Sequence, residues 1–258
     1  MRTNDLRALY DQRYLVPFSG LTYAAAIERD VVVVRALLPD TKARRLCDLC
    51  CGRGGHVVRL SKIPSYTVVG VDLSSSAEEY FRSHHATLHR ASFVHATVDD
   101  FATSNSDPFD ASLCYLPHLD KRCHHNTVSL LRAMCTLSRA SLGIISFFCH
   151  DYAPLLVGQT VTKYDRESDI MLESQVEYFQ KERLLRISQR CSLWKKGVVE
   201  EMILYEIGEI EGLLLAAGFP FVTNLNSYRS LAHIASQQRH CEGKATLVAQ
   251  SDNTSADY

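Results

Sequence analysis

The sequence predicts an α/β fold built on a doubly wound, mostly parallel sheet, and three observations carry that prediction. Short β-branched runs alternate with longer amphipathic segments from Arg45 onward. A glycine-rich turn follows the first of these runs, and a later stretch has the two-residue alternation of antiparallel strands. Alternating strands and helices make a parallel sheet, because each right-handed crossover buries the apolar face of its helix against the strands.

Strands are expected at about 45–50, 67–72, 92–97, 110–115 and 142–148, with amphipathic helices near 54–62, 75–88 and 122–139. Residues 1–40 read as a helical cover: Leu6, Leu9 and Tyr10 recur at helical spacing, and a second periodicity from 22 to 38 ends at Pro39-Asp40. Over 165–205 the runs ESQVEYFQ, ERLLRISQRCSLW and GVVEEMILYE read as three amphipathic strands of a small antiparallel β insert capping the site. A helix fits IGEIEGLLLAAGF and closes at Gly218, followed by FPFV and a last strand, KATLVAQ. The polar tail 251–258 is expected to be disordered, and residues 1–250 read as one domain.

Composition narrows the function classes. Apolar residues at 46% and charged residues at 22% suffice for a self-supporting core without disulfides or metal. With 28 basic and 29 acidic residues and no long block of like charge, nothing points to nucleic acid or an anionic membrane as partner. The N-terminus lacks the apolar core of a signal peptide, so a cytoplasmic location is expected. The nine cysteines then read as reduced thiols. Cys47 and Cys50 form a C-x-x-C, but inside a buried-strand pattern and without a second ligand pair, so no metal is expected.

The most informative stretch is LCDLCCGRGGHVVRL. An apolar strand ends at Asp48, a tight loop offers Gly52, Gly54 and Gly55, and an amphipathic helix begins. Glycines let the loop turn sharply and let a ligand approach the backbone. An ionised Asp48 only accepts hydrogen bonds, so it suits a cationic amino group or a hydroxyl and repels a pyrophosphate. About 22 residues beyond Cys50, TVVGVDLS closes a second strand at Asp72, where a carboxylate accepts two ribose hydroxyls. The alternative at each position is structural, since glycine turns after strands are common and an acid at a strand end often caps the next helix.

Asp48-Leu49-Cys50-Cys51-Gly52-Arg53-Gly54 resembles the D-x-G-x-G-x-G loop of class I S-adenosylmethionine-dependent methyltransferases of the small-molecule type, and VVGVDLS resembles their second motif. FVHATVDDF is similar to the family's adenine-edge motif, PFDASLCYLPHL to its fourth strand, and EIEGLLLAAGFPFV to its E-L-x-x-L-L-x-x-A-G-F signature. The resemblance implies a Rossmann-like seven-stranded sheet with S-adenosyl-L-methionine as cofactor. It implies Asp48 near the methionine amino group and the loop backbone, with Cys50, Gly52 and Gly54, beside the cofactor. Asp72 would then meet the ribose, and Val98 with Asp99 or Asp100 the adenine; Leu73, Tyr14 and Tyr115 are further cofactor-binding candidates. Two positions depart from the family pattern. Cys50 replaces the first loop glycine, tolerable if its φ stays negative, and Thr97 stands where an acid is frequent.

Methyl transfer is an in-line displacement that needs a base only when the acceptor must lose a proton. Acceptor-side candidates are Tyr115, His118, His150, Asp151, Tyr152, Arg190, Trp194 and Tyr205, with His118 as a general base or a histidine that merely orders its loop. Arg186, Ser188 and Arg190 share one strand face, either clamping a substrate carboxylate or forming the charged outside of the sheet. His84-His85 and His124-His125 read as solvated helix surface. Tyr10, Tyr14, Tyr152, Tyr164, Tyr178 and Trp194 offer ring faces for a sulfonium, with plain packing the alternative.

The function expected is methyl transfer to a nitrogen or oxygen of a small molecule. Three alternatives stay open: cyclisation of the cofactor's aminopropyl chain to azetidine-2-carboxylate with release of methylthioadenosine, a nicotinamide-dependent dehydrogenase, and a non-catalytic cofactor-binding regulator. Asp48 and the missing first glycine speak against the dehydrogenase.

Overall fold

A computed structural model describes residues 8, 10–11, 24–38, 41–156, 160–165, 169–194, 197–225 and 244–250. Five parallel strands, β1 (Arg44–Leu49), β2 (Tyr66–Asp72), β3 (Ala91–His95), β4 (Ala111–Tyr115) and β5 (Leu142–Phe148), form the body of the main sheet. The four strands β6 (Thr160–Asp165), β7 (Ile170–Phe179), β8 (Leu184–Cys191) and β9 (Val198–Ile203) make a separate antiparallel sheet. Then β10 (Phe221–Asn224) and β11 (Lys244–Gln250) complete the main sheet in antiparallel sense. The main order is β10-β11-β5-β4-β1-β2-β3, so the winding reverses between β1 and β4. That reversal opens a crevice at the carboxyl ends of these two strands, where such sheets bind ligands.

The helices are α1 (Ala24–Leu37), α2 (Gly55–Ser61), α3 (Ser75–His85), α4 (Val98–Ser104), α5 (His124–Ser138) and α6 (Ile207–Ala217). Period-two alternation splits the core into two layers. Leu46, Val68, Leu113 and Ile144 pack with Val34, Val57 and Phe81 of α1 to α3. Cys47, Leu49, Val71 and Ile145 pack with Phe101, Leu131, Met134 and Leu214 of α4 to α6. Helix α6 starts with a reciprocal capping box between Glu206 and Glu209 and stops at Gly218, whose φ of 115° is open to glycine.

Two elements differ from the sequence reading. The insert has four strands and starts at Thr160, because β6 pairs only with β7. An edge strand is held by its backbone ladder, so its sequence carries little apolar signal. Helix α4 was not expected either. It has seven residues, of which Phe101 is buried, too few for a helical periodicity to register. Leu6, Leu9, Tyr14 and the tail 251–258 lie outside the described residues, as does the side chain of Tyr164. No helix among the described residues is long and apolar enough to cross a membrane.

Candidate active site

Strand alternation brings the first site residues together. Asp48 shares the α1-to-α3 side of β1 with Leu46, and Tyr115 shares that side of β4 with Leu113. Helix α2 adds His56, whose ring stacks on Tyr115 with centroids 4.0 Å apart and whose Nε2 lies 2.9 Å from Asp30 of α1. Asp48 is 1% exposed, and neither of its carboxylate oxygens has a hydrogen-bond partner. Burial pushes its carboxyl up to about 7; His56 opposes that rise, and the Asp72 and Asp30 charges add to it. Buried polar atoms are almost always bonded, so a carboxylate with two orphaned oxygens marks a place for a ligand donor.

The loop after β1 runs through Cys50, Gly52 and Gly54 with φ of 56°, 54° and 78°. The expectation of a negative φ at Cys50 is therefore corrected: this cysteine sits in the left-handed region, at a cost of roughly 1–2 kcal/mol. Gly54 tolerates no side chain, since a Cβ there would lie 2.6 Å from Phe81 Cδ2. Asp72 ties the loop to β2. Its Oδ2 accepts from the Gly52 N–H at 2.8 Å and its Oδ1 from the Ser74 N–H at 2.9 Å. Burial raises the Asp72 carboxyl while these backbone donors lower it, leaving it above the ordinary value. Each carboxylate oxygen keeps a lone pair, so Asp72 can still receive two hydroxyls.

Asp11 reaches this corner from the N-terminal segment, accepting from Ser74 Oγ at 2.5 Å and from the Ser76 N–H at 3.2 Å. Leu73 is half-buried between Asp72 and the buried Ser74, its carbonyl 3.1 Å from His95 Nε2. Beyond β3, Val98 packs against the core. The carboxylates of Asp99 and Asp100 are engaged locally, with Ser129 Oγ and with Thr97 Oγ1. Thr97 is the N-cap of α4, accepting from the Asp100 N–H at 3.1 Å, which is why a threonine stands there.

His118 lies past the end of β4, after Leu116 at φ 55° and Pro117. Its Nδ1 is 2.7 Å from Glu200 Oε1 of β9, and its Nε2 is buried without a hydrogen-bond partner. Tyr10 donates to the same Glu200 oxygen at 3.0 Å. The position of β9 is fixed by Asp120, whose Oδ1 accepts from the Ile203 N–H at 3.2 Å and from Arg122 Nε at 3.0 Å. Burial raises the Asp120 carboxyl, but the Arg122 guanidinium and the backbone donors outweigh it and hold it low. The Tyr115 hydroxyl is likewise buried and unpartnered, which adds a third orphaned group at the carboxyl ends of β1 and β4.

Other acceptor-side candidates are drawn away from these groups. Tyr205 is 2% exposed with its hydroxyl 2.9 Å from His124 Nδ1, and Asp151 accepts from the Ile207 N–H at 2.9 Å to cap α6. His150 bonds the Tyr178 hydroxyl, Tyr152 packs on the core, and Trp194 covers Ile170 and Cys191 in the insert. Arg186 pairs with Glu201 at 2.7 Å and Glu177 at 3.7 Å, and Arg190 is exposed, so the arginine face is the charged outside of the sheet.

Glu200, His56 and Asp11 escaped the sequence reading. Glu200 alone left a signal, as an acid in register with Val198 and Met202 on the buried face of its strand. A recess lined by Arg44, Asp110 and Arg139 lies at the opposite, amino end of the sheet, remote from the orphaned groups.

Residues 46–139, which hold Asp48, the loop, Asp72 and His118, match the family model of a methyltransferase domain. That stretch of the chain is similar to a methyltransferase domain. The fold is similar to that of the sugar N-methyltransferase KedS8 from Streptoalloteichus sp ATCC 53650, with 20% identity, 88% of this chain and 87% of that one covered, and a TM-score of 0.63. It is similar to DesVI of Streptomyces venezuelae at 17% identity, with 95% and 98% of the chains covered and a TM-score of 0.63. It is also similar to CalS10, an amino pentose methyltransferase from Micromonospora echinaspora, at 18% identity, with 89% and 92% covered and a TM-score of 0.60. Likeness at these identities establishes the fold. Among curated proteins, none matches the sequence.

Proposed function

We propose that this protein is a methyltransferase that transfers the methyl group of S-adenosylmethionine to a nitrogen or oxygen of a small molecule. The observation that carries the reading is Asp48, a buried carboxylate with both oxygens unpartnered next to a loop tied to Asp72. A ligand with an ammonium group and a ribose diol satisfies both carboxylates at once, which a dinucleotide pyrophosphate does not. When bound, the cofactor supplies an electrophilic methyl group on a positively charged sulfur.

In this reading Asp48 holds the methionine ammonium and the amides around Cys50, Gly52 and Gly54 follow its backbone. Asp72 and Leu73 take the ribose, while Val98 and the first amides of α4 border the adenine, the Asp99 and Asp100 side chains being engaged elsewhere. Tyr115 and His118 face the acceptor. The antiparallel sheet reaches this end of the main sheet through Glu200, which supports a capped pocket of small-molecule size. The near balance of 28 basic and 29 acidic residues supports the same acceptor class. KedS8 and CalS10 act on sugar and amino pentose acceptors, which fits that scale.

The test is incubation with methyl-labelled S-adenosylmethionine and fractionated metabolite pools. Label in a small-molecule product together with adenosylhomocysteine is expected. Methylthioadenosine formed without any acceptor would replace transfer by cyclisation, and no consumption of cofactor with any pool would leave a binding protein.

A further inference from the structure

The most unusual polar group outside the cofactor corner is Glu200. It is 3% exposed and alternates with Val198 and Met202, which are 5% and 3% exposed, on the buried face of β9. A carboxylate in such a place is costly to bury and persists where its partners need it. Those partners fix a proton. The Tyr10 hydroxyl donates to Glu200 Oε1, which makes that oxygen an acceptor. His118 Nδ1 lies 2.7 Å from the same oxygen and must therefore be the donor there. A neutral imidazole carries one N–H, so Nε2 is left with the lone pair.

The surroundings keep that lone pair uncommitted. Nε2 is buried with no hydrogen-bond partner. The nearby carboxylate oxygen, Asp120 Oδ2, is 3.9 Å away, beyond hydrogen-bond reach, and both Asp120 oxygens are taken by Arg122 Nε. The side chains of His118 and Glu200 are 5% and 4% exposed, so bulk water does not set the arrangement.

We infer that Glu200, braced by Tyr10, is a positioning residue that presents His118 Nε2 as a proton acceptor, and that the small molecule methylated here enters with a hydroxyl or an ammonium that must lose a proton. The inference rests on the methyl-transfer reading above. The acceptor's proton moves to His118 Nε2, and the lone pair so freed forms the bond to the methyl carbon. The carbon–sulfur bond breaks with its electron pair left on sulfur. Glu200 accepts the Nδ1–H throughout and stabilises the imidazolium that results.

The full chain labelled with 15N-histidine and saturated with adenosylhomocysteine tests this, with the His118 signals assigned by their loss in His118→Leu. Two-bond 1H–15N spectra in alkaline buffer are expected to show the Nδ1–H tautomer. Glu200→Gln, which still accepts, keeps that tautomer, whereas Glu200→Leu converts it to Nε2–H. Label transfer from methyl-labelled cofactor into a fixed metabolite extract is expected to fall about 10-fold in Glu200→Gln. It should fall about 100-fold or more in Glu200→Leu and His118→Leu, with adenosylhomocysteine affinity within about 2-fold of the unaltered protein. An Nε2–H tautomer in the unaltered protein, a tautomer unmoved in Glu200→Leu, or undiminished transfer in that variant overturns the inference. Absence of transfer by the unaltered protein instead overturns the methyl-transfer reading and the acceptor clause with it, while the tautomer still decides what Glu200 does.

Discussion

The Gly52 amide and the Asp72 carboxylate meet at 2.8 Å, binding the turn after β1 to the end of β2. One side chain thus shapes the loop and keeps lone pairs to spare, which in the proposed reading receive the ribose hydroxyls. Asp72→Ala is expected to weaken adenosylhomocysteine binding at least about 10-fold, since hydrogen bonds to charged groups are each worth roughly 1.5–3 kcal/mol. Titration calorimetry measures it, and unchanged affinity would mean that the ribose lies elsewhere.

Asp48 gives a pH dependence with a definite sign. With its folded carboxyl raised from 3.8 to about 7, the native chain holds a proton that the unfolded chain has already released over that range. Stability therefore falls as pH climbs through this window and levels off above it. Binding of an ammonium group needs the charged carboxylate, so affinity for adenosylhomocysteine should rise over the same window and level off above about 7. Asp48→Asn should raise the unliganded melting temperature, most at pH 8, while weakening binding and flattening its pH dependence. Scanning calorimetry and binding titrations at several pH values check both halves.

Cys50 occupies a left-handed conformation with φ of 56°. Replacing it with glycine relieves the steric cost but loosens the unfolded chain, so Cys50→Gly should stabilise the protein by at most about 1 kcal/mol. A melting temperature lower than that of the unaltered protein would show that the cysteine side chain contributes packing that outweighs the strain.

The Tyr115 hydroxyl is buried, unpartnered and carried on a ring stacked against His56. A hydroxyl left unbonded in the folded state destabilises it, so Tyr115→Phe should leave the unliganded protein as stable or more so. If the hydroxyl meets a ligand, the same change lowers label transfer or adenosylhomocysteine affinity several-fold. Loss of stability with binding intact would assign the hydroxyl a purely structural partner.

How the site was legible differs from residue to residue. Asp48 and Asp72 announce themselves because each ends an apolar strand and is followed by a turn, a local pattern that period-two alternation and glycine chemistry make readable. For His118 the choice between a general base and a loop-ordering histidine stayed open, because the carboxylate it bonds is 82 positions away. The arginines of β8 were open to two readings until the pairing of Arg186 with Glu177 and Glu201 and the exposure of Arg190 fixed them on the outer face. Helix α4 and strand β6 were missed because a short helix and an edge strand bury too little to leave a periodic trace.

By itself the sequence determined the order of the strands and helices apart from α4 and β6, the turn after β1 and the two strand-end carboxylates. Each of these is a consequence of local periodicity, backbone sterics or residue chemistry within a few positions. Only the tertiary structure decided that Asp48 is left without partners, that β9 lays Glu200 against His118, and that Tyr10 joins them. These depend on how the antiparallel sheet and the N-terminal segment come to lie at the carboxyl ends of β1 and β4. Long-range packing sets that placement, and no local pattern of residues encodes it.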